Sequence, residues 1–247
     1  MNKSIFITGA TTGIGFELAK LYVKEGYRVG VCGRDLTKLP DPYRSRFECY
    51  ELSVTDEQAL KEAIVDFHHK GGLDIVMANA GISHGSKSKL PDFKVTKQII
   101  DINIYGVLNT FAPAISIFAQ QGHGHLVGTA SVAGFVGLPG ASAYSASKAA
   151  VISLCESYAL DLKHLGIKVT AICPGFIDTP LTKKNDHDMP FLMSVDKGAR
   201  KIKKAIDKGR NLYVFPWQMA LVMHILRRLP RFMYRFIMTL PFANYSK

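Results

Sequence analysis

A tyrosine and a lysine four positions apart, Tyr144 and Lys148, are well suited to proton transfer. They lie in the Ala/Ser-rich run 141–148, which is predicted to be helical, so their side chains share one face. A phenol with its reference pKa of ~10 exchanges protons poorly at neutral pH. An ammonium at ~4 Å, in a medium of effective dielectric ~20, stabilises the phenolate by roughly 4 kcal/mol, or about 3 pKa units. We therefore predict that Lys148 lowers the pKa of Tyr144.

Ser131, which precedes Tyr144 by 13 residues, could hydrogen-bond the reacting oxygen of a substrate. Tyr144 would then act beside it as a general acid/base. An isolated Tyr-x-x-x-Lys pattern is more often an ordinary pair on a helix surface. The rest of the chain therefore has to decide between a catalytic and a structural interpretation.

A glycine-rich turn near the N-terminus has the context of a dinucleotide-binding motif. The apolar run 3–8 is a predicted strand, the turn spans 9–15, and the amphipathic run 16–25 is a predicted helix. Glycines allow close approach of the backbone to a pyrophosphate, and the helix offers its N–H groups to the anion. A connection that binds nothing is the alternative. The residues expected to contact the phosphates are Gly9, Thr11, Thr12, Gly13, Ile14 and Gly15.

The end of the second predicted strand, 27–32, indicates which dinucleotide binds, because it should lie beside the adenosine ribose. Gly33 provides no carboxylate for the ribose diol, and Arg34 can pair with a 2′-phosphate. NADP(H) is therefore favoured over NAD(H). Asp35 lies close enough to keep NAD(H) open as an alternative.

Strands and helices alternate along the chain, which predicts an α/β fold with a doubly wound parallel sheet of the Rossmann type. Further strands are predicted at 46–52, 73–78, 125–131, 167–173 and 211–215, and further helices at 56–69, 93–118 and 141–165. The 247 residues fit one domain, 1–247, with a helical C-terminal extension at 216–247.

On these motifs the chain resembles the short-chain dehydrogenase/reductase family over most of its length. The matching residues are Thr8-Gly9-x-x-x-Gly13-Ile14-Gly15, Asn79-Ala80-Gly81, Asn103, Ser131, Tyr144-x-x-x-Lys148 and Pro174-Gly175-x-x-x-Thr179. Two positions depart from the family pattern. Ala78 stands where an asparagine is common, and Ser53 stands where an aspartate usually lies near the adenine.

The resemblance implies a catalytic tetrad of Asn103, Ser131, Tyr144 and Lys148. The tyrosine would transfer the proton, the serine would polarise the substrate oxygen, the lysine would bind the nicotinamide ribose, and the asparagine would hold a relay water. The resemblance also implies a homodimer or homotetramer. The cofactor contacts expected beyond the glycine turn and Arg34 come from Asn79, Ala80, Gly81, Tyr144, Lys148, Pro174, Gly175 and Thr179.

The segment 176–210 is expected to form the substrate lid. Its apolar residues favour a small hydrophobic carbonyl or alcohol substrate, and ordinary packing is an equal alternative. These residues are Leu181, Met189, Phe191, Leu192 and Met193.

The formal net charge of +11 is concentrated in the C-terminal part. Residues 196–247 contain 12 Lys/Arg against 2 Asp/Glu, a net of +10, and residues 1–195 contain 19 against 18, a net of +1. Only 16 residues separate Arg210 from Arg227, too few for a membrane span. Arginines mixed with apolar and aromatic residues favour a membrane interface over nucleic acid. Burial against the core or a second subunit is the alternative.

The cysteines and histidines predict no metal site. Cys32, Cys49, Cys155 and Cys173 occur singly, as expected of reduced core cysteines in a cytoplasmic protein. The N-terminal apolar run is too short for a signal peptide. The expected location is therefore cytoplasmic, or peripheral at the inner face of a membrane if the tail meets lipid.

Two functions of different classes follow from these patterns. The first is an NADP(H)-dependent oxidoreductase that interconverts an alcohol and a ketone or aldehyde. The second is a catalytically silent nucleotide-binding sensor or scaffold on the same fold. The presence of both Tyr144 and Lys148 favours the enzyme. An enoyl reductase would be expected to show a longer Tyr–Lys spacing.

Overall fold

A seven-stranded parallel sheet forms the centre of the molecule, as the sequence predicted. The structure, a computed structural model, describes residues 3–83, 90–185 and 188–240. The strands are β1 (Ser4–Thr8), β2 (Arg28–Gly33), β3 (Glu48–Glu51), β4 (Ile75–Ala78), β5 (Gly124–Thr129), β6 (Ile167–Pro174), β7 (Ile177–Asp178), β8 (Met193–Ser194) and β9 (Leu212–Phe215). The sheet has the order β3-β2-β1-β4-β5-β6-β9, and β7 pairs separately with β8. The chain order of the strands reverses between β1 and β4, which makes the fold doubly wound.

Helices cover both faces of this sheet. They are α1 (Gly13–Lys24), α2 (Asp41–Arg44), α3 (Glu57–His69), α4 (Phe93–Ile100), α5 (Gly106–Gln121), α6 (Ser142–Asp161), α7 (Val195–Asp207), α8 (Trp217–Arg228) and α9 (Arg231–Thr239). Successive residues of β1 point to opposite faces, so Phe6 packs with α3, α5 and α6, whereas Ile5 and Ile7 pack with α1 and α7. The predicted α/β Rossmann class is therefore confirmed.

Two predicted helices are interrupted in the structure. The run predicted as one helix at 93–118 becomes α4 and α5, joined by a π-helical turn at Asp101–Tyr105 that contains Asn103. The apolar tail divides at Pro230, because the residue before a proline is disfavoured in helical conformation, and Leu229 is extended. Residues 241–247 of the predicted extension lie outside the described residues.

One segment of the described chain, Phe93–Gln121, is long and apolar enough to cross a membrane. Half of its most apolar window is buried inside the fold, which is typical of a core helix in a parallel α/β protein. The segment lies in the layer that packs on β4 and β5. This finding does not concern the C-terminal tail.

Candidate active site

A cleft of about 470 Å³ opens at the carboxyl ends of the sheet strands. This edge, at a change of strand order, is where doubly wound folds bind ligands. Fifteen of the seventeen residues predicted for the site line the cleft. They are Gly9, Thr11, Thr12, Gly13, Ile14, Arg34, Asn79, Ala80, Gly81, Ser131, Tyr144, Lys148, Pro174, Gly175 and Thr179.

The turn after β1 is held against the end of β4 by the Thr8 hydroxyl. This hydroxyl accepts hydrogen bonds from the backbone N–H groups of Asn79 at 3.0 Å and Ala80 at 3.2 Å. Asn79 Nδ2 donates in turn to the carbonyls of Thr8 and Gly9, both at 3.1 Å. Gly9 has φ +63°, and a Cβ there would lie 2.6 Å from the Ala80 Cα. The two predicted motifs therefore form one rigid floor.

The N-terminus of α1 is suited to an anion. Its first turn contains no acidic residue, and within the described chain the Thr12 side chain makes no capping hydrogen bond. The first N–H groups of the helix are therefore not satisfied by a side-chain cap and carry the positive end of the helix dipole. A pyrophosphate fits both the geometry and the charge of this turn.

The adenosine end of the cleft favours a phosphate over a ribose diol. A Cβ at Gly33 would lie 2.6 Å from the Thr11 Cγ2, so packing excludes a carboxylate-bearing side chain there. Asp35 is engaged in its own loop: Oδ1 accepts from the backbone N–H of Thr37 at 3.0 Å, and Oδ2 lies 3.2 Å from Lys38 Nζ. The hydrogen bond that Asp35 accepts from the Thr37 hydroxyl has the largest effect on its pKa. Together with the contact to Lys38, it lowers the pKa of the Asp35 carboxyl. Asp35 lines the cleft beside Arg34, with its carboxylate charge balanced by the adjacent Lys38.

Ser131 and Tyr144 line the cleft from the two elements that meet beyond β5. Ser131 lies two residues after the last residue of β5, and its Oγ accepts a hydrogen bond from the Ala133 backbone N–H at 3.2 Å. Tyr144 lies in the first turn of α6. Burial raises the pKa of Tyr144 above its ordinary value, and a hydrogen bond with the Ser131 side chain lowers it only in part. The pKa shift is thus opposite to the one predicted from the sequence.

Lys148 explains why the predicted acidification of Tyr144 is absent. Its Nζ donates to the Thr129 carbonyl at 2.8 Å and lies 5.7 Å from the Tyr144 ring centroid. Lys148 is only 4% exposed, and burial lowers its own pKa to about 8. The desolvation of both groups therefore outweighs their mutual interaction in the protein alone.

Two predicted residues do not line the cleft. Asn103 is fully buried: its Oδ1 accepts from the Ile82 backbone N–H at 2.8 Å, and its Nδ2 donates to the Ile82 carbonyl at 2.9 Å and to Ser147 Oγ at 3.0 Å. These bonds engage both polar ends of the side chain. Gly15 is buried beneath the glycine turn, where a Cβ would lie 2.6 Å from Asn79 Nδ2. Both residues support the cleft from behind.

Sequence reasoning missed several residues that line the cleft. Lys38 lines the cleft as a second cation in addition to Arg34. It follows Asp35 by three positions, a spacing from which their ion pair could have been predicted. Ile82 and Ile102 also line the cleft. They follow or precede predicted residues by one position, but no spacing rule indicates that their side chains face the cleft.

The segment 176–210 divides into two parts with different roles in the fold. Residues at its start, including Leu181, border the cleft, whereas Met193 is buried in the core. Phe191 and Leu192 are about half exposed, at 50% and 47%. The helix α7 packs against α1 as part of the fold, so only residues before it could serve as a lid.

Metal ligands and disulfides do not contribute to this arrangement in the described part of the chain. Among those residues no group of three or more His, Cys, Asp or Glu side chains could hold a metal ion. All four cysteines are free. Burial raises the pKa of Cys173, which lies near Tyr144 and Lys148, to about 12, so this thiol is protonated at neutral pH.

Comparison with known proteins gives relatives along most of the chain. The family model described as short chain dehydrogenase matches residues 3–190. An uncharacterized oxidoreductase of Myxococcus xanthus is 37% identical over 235 residues, covering 92% of this chain and 93% of the relative. A 3-oxoacyl-[acyl-carrier-protein] reductase of Thermotoga maritima is 34% identical over 192 residues, covering 74% and 77%.

Solved structures with the same fold are also found. The structure of ElxO with NADP bound is 28% identical, with a TM-score of 0.78, and covers 87% of this chain and 97% of that chain.

Proposed function

The chain belongs to the short-chain dehydrogenase family, and on that premise we propose an NADP(H)-dependent oxidoreductase that interconverts a hydrophobic alcohol with the corresponding ketone or aldehyde. One observation carries this proposal. A single cleft contains a phosphate-binding turn at one end and Ser131, Tyr144 and Lys148 at the other. The silent sensor is not favoured, because the relatives are named as oxidoreductases.

Several residues support the preference for NADP(H). Arg34 and Lys38 line the adenosine end of the cleft, and the Asp35 carboxylate is held by its own loop. A guanidinium pairs well with a phosphate group. NADP is also the ligand named for the ElxO structure. When bound, NADP(H) supplies or accepts the hydride at its nicotinamide ring, which is positively charged in the oxidised form.

The proton then moves at the Tyr144 hydroxyl. Ser131 donates a hydrogen bond to the substrate oxygen and stabilises the charge that develops there. Tyr144 gives its proton to that oxygen during reduction and takes it back during oxidation. Lys148 binds the ribose next to the nicotinamide and keeps positive charge near the phenol. Asn103 acts as a positioning residue, because its side chain is bonded to Ile82 and Ser147.

Tyr144→Phe tests this function directly. The variant should lose at least about a thousandfold in kcat, since it lacks the transferable proton, while its affinity for NADPH stays within a factor of about two. The measurement is NADPH oxidation with a panel of ketones and aldehydes, followed by absorbance. Tyr158→Phe, on the same helix but with its ring packed against Phe111, is the matched control. Full activity of Tyr144→Phe would contradict the assignment.

The hydrophobic character of the substrate is proposed from the residues beside the catalytic end. Ile177 and Leu181, which follow the Pro174-Gly175 turn, line the cleft. The name of the Thermotoga maritima relative describes a carbonyl on an acyl chain. A series of methyl ketones should show kcat/KM rising roughly fourfold for each CH₂ that becomes buried. A flat series would remove this part of the proposal.

We further infer that the enzyme lies peripherally on a membrane through its tail. The outer face of α8 and α9, defined here as Trp217, Leu221, Val222, Ile225, Phe232, Met233 and Phe236, has exposures between 41% and 74%. Residues 217–240 contain four arginines and no Asp or Glu. Apolar and aromatic side chains interleaved with cations match an anionic lipid surface.

Surface substitutions test this location without removing the tail. The triple variant Trp217→Ser, Phe232→Ser and Phe236→Ser should lose flotation with vesicles of phosphatidylcholine and phosphatidylglycerol, and Leu160→Ser, 77% exposed on α6, should not. Unchanged flotation of the triple variant would contradict the location. A wild-type dimer that the triple variant dissociates, without vesicle binding, would identify the outer face as a subunit interface instead.

We also propose that residues 1–247 form one domain and that this domain assembles as a homodimer or homotetramer. The seven-stranded sheet runs from β3 to β9 without a division, which supports a single domain. Sedimentation velocity of the full chain measures the assembly, and a monomer at micromolar concentration would exclude it.

A further inference from the structure

The inner face of α8 packs against the loop that carries the catalytic serine. Met219 and Met223, each 6% exposed, form a cluster with Val132, the residue directly after Ser131. Phe135 of the same loop packs against this cluster. The residue directly after Ser131 is therefore packed against the C-terminal tail.

The tail also begins at the nicotinamide side of the cleft. The Gly175 backbone N–H donates to the Phe215 carbonyl at 2.7 Å. A Cβ at Gly175 would lie 3.0 Å from Pro216 Cδ and 3.3 Å from Met219 Cγ. The first turn of α8 is thus in close contact with a residue that lines the cleft.

The loop between β5 and α6, which contains Ser131 and is called the serine loop here, also contacts α9 and the last turn of α8. The Tyr234 hydroxyl of α9 donates to the Gly137 carbonyl. The Arg227 guanidinium of α8 lies 5.9 Å from the centroid of the Phe135 ring. The loop between β5 and α6 is therefore fixed by both tail helices and cannot shift independently of them.

A single helix separates the serine loop from the outer face of the tail. An α-helix with its side chains is about 10 Å across, and an interfacial helix sinks roughly 5–10 Å into the boundary between headgroups and acyl chains. Val132 packs against the inner face of α8. If the outer face of α8 lies in lipid, Val132 is about one helix diameter from the apolar layer. Met219, Met223 and Phe176 fill the space between α8 and Val132, the residue directly after Ser131.

We propose that the tail is the entrance wall for a substrate that is dissolved in the bilayer. The inference rests on the proposed function and specifies its substrate as a lipophilic carbonyl or alcohol whose reacting group reaches Ser131 along the apolar wall formed by α8. Such a compound enters the cleft without first crossing bulk water, so its apparent affinity depends on membrane docking. A water-soluble carbonyl enters the cleft directly from solution, so its turnover does not depend on membrane docking.

Two ketones with the same reacting group separate these routes. One is a short methyl ketone that stays in water, and the other is a long-chain methyl ketone incorporated into phosphatidylcholine/phosphatidylglycerol vesicles. The enzymes are the full-length wild type, the outer-face triple variant Trp217→Ser, Phe232→Ser and Phe236→Ser, and Leu160→Ser. None of these positions lines the cleft.

The triple variant should turn over the vesicle-borne ketone at least about tenfold more slowly than wild type, while both reduce the short ketone at rates within about twofold. Leu160→Ser should match wild type with both ketones. Equal rates of the triple variant and wild type on the vesicle-borne ketone would overturn the inference. Failure of the wild type to oxidise NADPH with either ketone, while still floating with vesicles, would instead overturn the proposed function.

The charge on the tail gives a second, independent readout. Arg231→Gln with Arg235→Gln should weaken both flotation and turnover of the vesicle-borne ketone. Lys204→Gln with Lys208→Gln removes the same charge from a denser basic cluster on and after α7, outside the tail. This control should change neither property. An equal loss in both double variants would show general electrostatic attraction and overturn the assigned docking face.

Discussion

The cofactor end of the cleft and the C-terminal tail are built in opposite ways. At the cofactor end, the Thr8 hydroxyl and the Asn79 amide are satisfied by neighbouring backbone groups, and glycines occupy positions where a Cβ would collide. In the tail, large apolar side chains such as Trp217 and Phe232 are more than 70% exposed. One region is closed by its own hydrogen bonds, and the other leaves large apolar side chains exposed.

On the proposed function, the difference assigns the chemistry to the rigid cleft and the access of substrate to the tail. Rigid packing at the cofactor end holds the reacting groups in place, which is the condition for electrostatic stabilisation of a transition state. The tail contacts the serine loop but contributes no reacting group, so it can influence access to the site. Substitutions at the two regions should therefore affect different measurements.

The largest effect in this comparison is expected at Ser131. Ser131→Ala should lower kcat by about 10²–10³-fold, because it removes a hydrogen-bond donor aimed at the substrate oxygen. Ser157→Ala is the control, because Ser157 is an exposed residue of α6. Steady-state kinetics with a water-soluble ketone measures both, and a kcat for Ser131→Ala within a few-fold of wild type would show that the serine is structural.

The second effect concerns the pH dependence of stability through Lys148. Folding lowers its pKa from 10.5 to about 8, so between these values the unfolded chain holds a proton that the folded chain has released. The sign is therefore a gain in stability with rising pH, which for one group amounts to about 3 kcal/mol across the window.

Urea denaturation of wild type and Lys148→Met at several pH values measures this contribution. Burial also raises the pKa values of Cys32, Cys155 and Cys173, which act in the opposite direction above pH ~9, but these thiols are common to both proteins. The stability advantage of Lys148→Met should be largest below pH ~8 and shrink towards pH ~10.5. A difference independent of pH would mean that Lys148 is not desolvated.

The third effect concerns the stability that Asn103 contributes by supporting the cleft. Asn103→Ala leaves the N–H and C=O of Ile82 without their side-chain partners and should cost about 2–3 kcal/mol of unfolding free energy. Asn109→Ala, which removes one hydrogen bond to the Val54 carbonyl, should cost about 1 kcal/mol. Thermal or urea unfolding compares them. Equal costs would show that the Asn103–Ile82 bonds are not strongly stabilising.

The smallest effect is expected at the adenosine end. Arg34→Ala should weaken NADPH binding about tenfold and leave NADH binding unchanged, since only NADPH carries the 2′-phosphate. Arg44→Ala, in α2 and outside the cleft, should alter neither. Fluorescence titration with both nucleotides gives the four values. Equal losses for NADH and NADPH would assign Arg34 a structural role.

The sequence predicted the sheet, the order of its elements and fifteen residues of the cleft, because these depend on local signals. Strand periodicity, the glycine turn and the Tyr144–Lys148 spacing are all short-range features. The position of Asn103 was not predictable in the same way, since its clamp on Ile82 spans 21 residues and requires a π-helical turn. The direction of the Tyr144 pKa shift was also predicted incorrectly, because residue spacing carries no information on burial.

The contacts of the tail were equally beyond local signals. Composition indicated an apolar and basic segment but left lipid, core and subunit as alternatives. The structure shows that one face of the segment packs on the core, because Met219 and Met223 are buried, and that the other face, with Trp217 and Phe236, is exposed. Tertiary contacts, such as that of Met219 with Val132, connect the tail to the serine loop.

The titration of Tyr144 tests the central claim most directly, since the enzyme must turn a phenol that the protein alone makes less acidic into a proton donor. The tyrosinate absorbance of wild type minus that of Tyr144→Phe isolates this one hydroxyl, and it is followed against pH with and without saturating NADP⁺. Without NADP⁺ we predict that the pKa stays above its ordinary value, as burial requires. With NADP⁺, the added positive charge should lower it by at least about one unit. A titration unchanged by NADP⁺ would contradict the account.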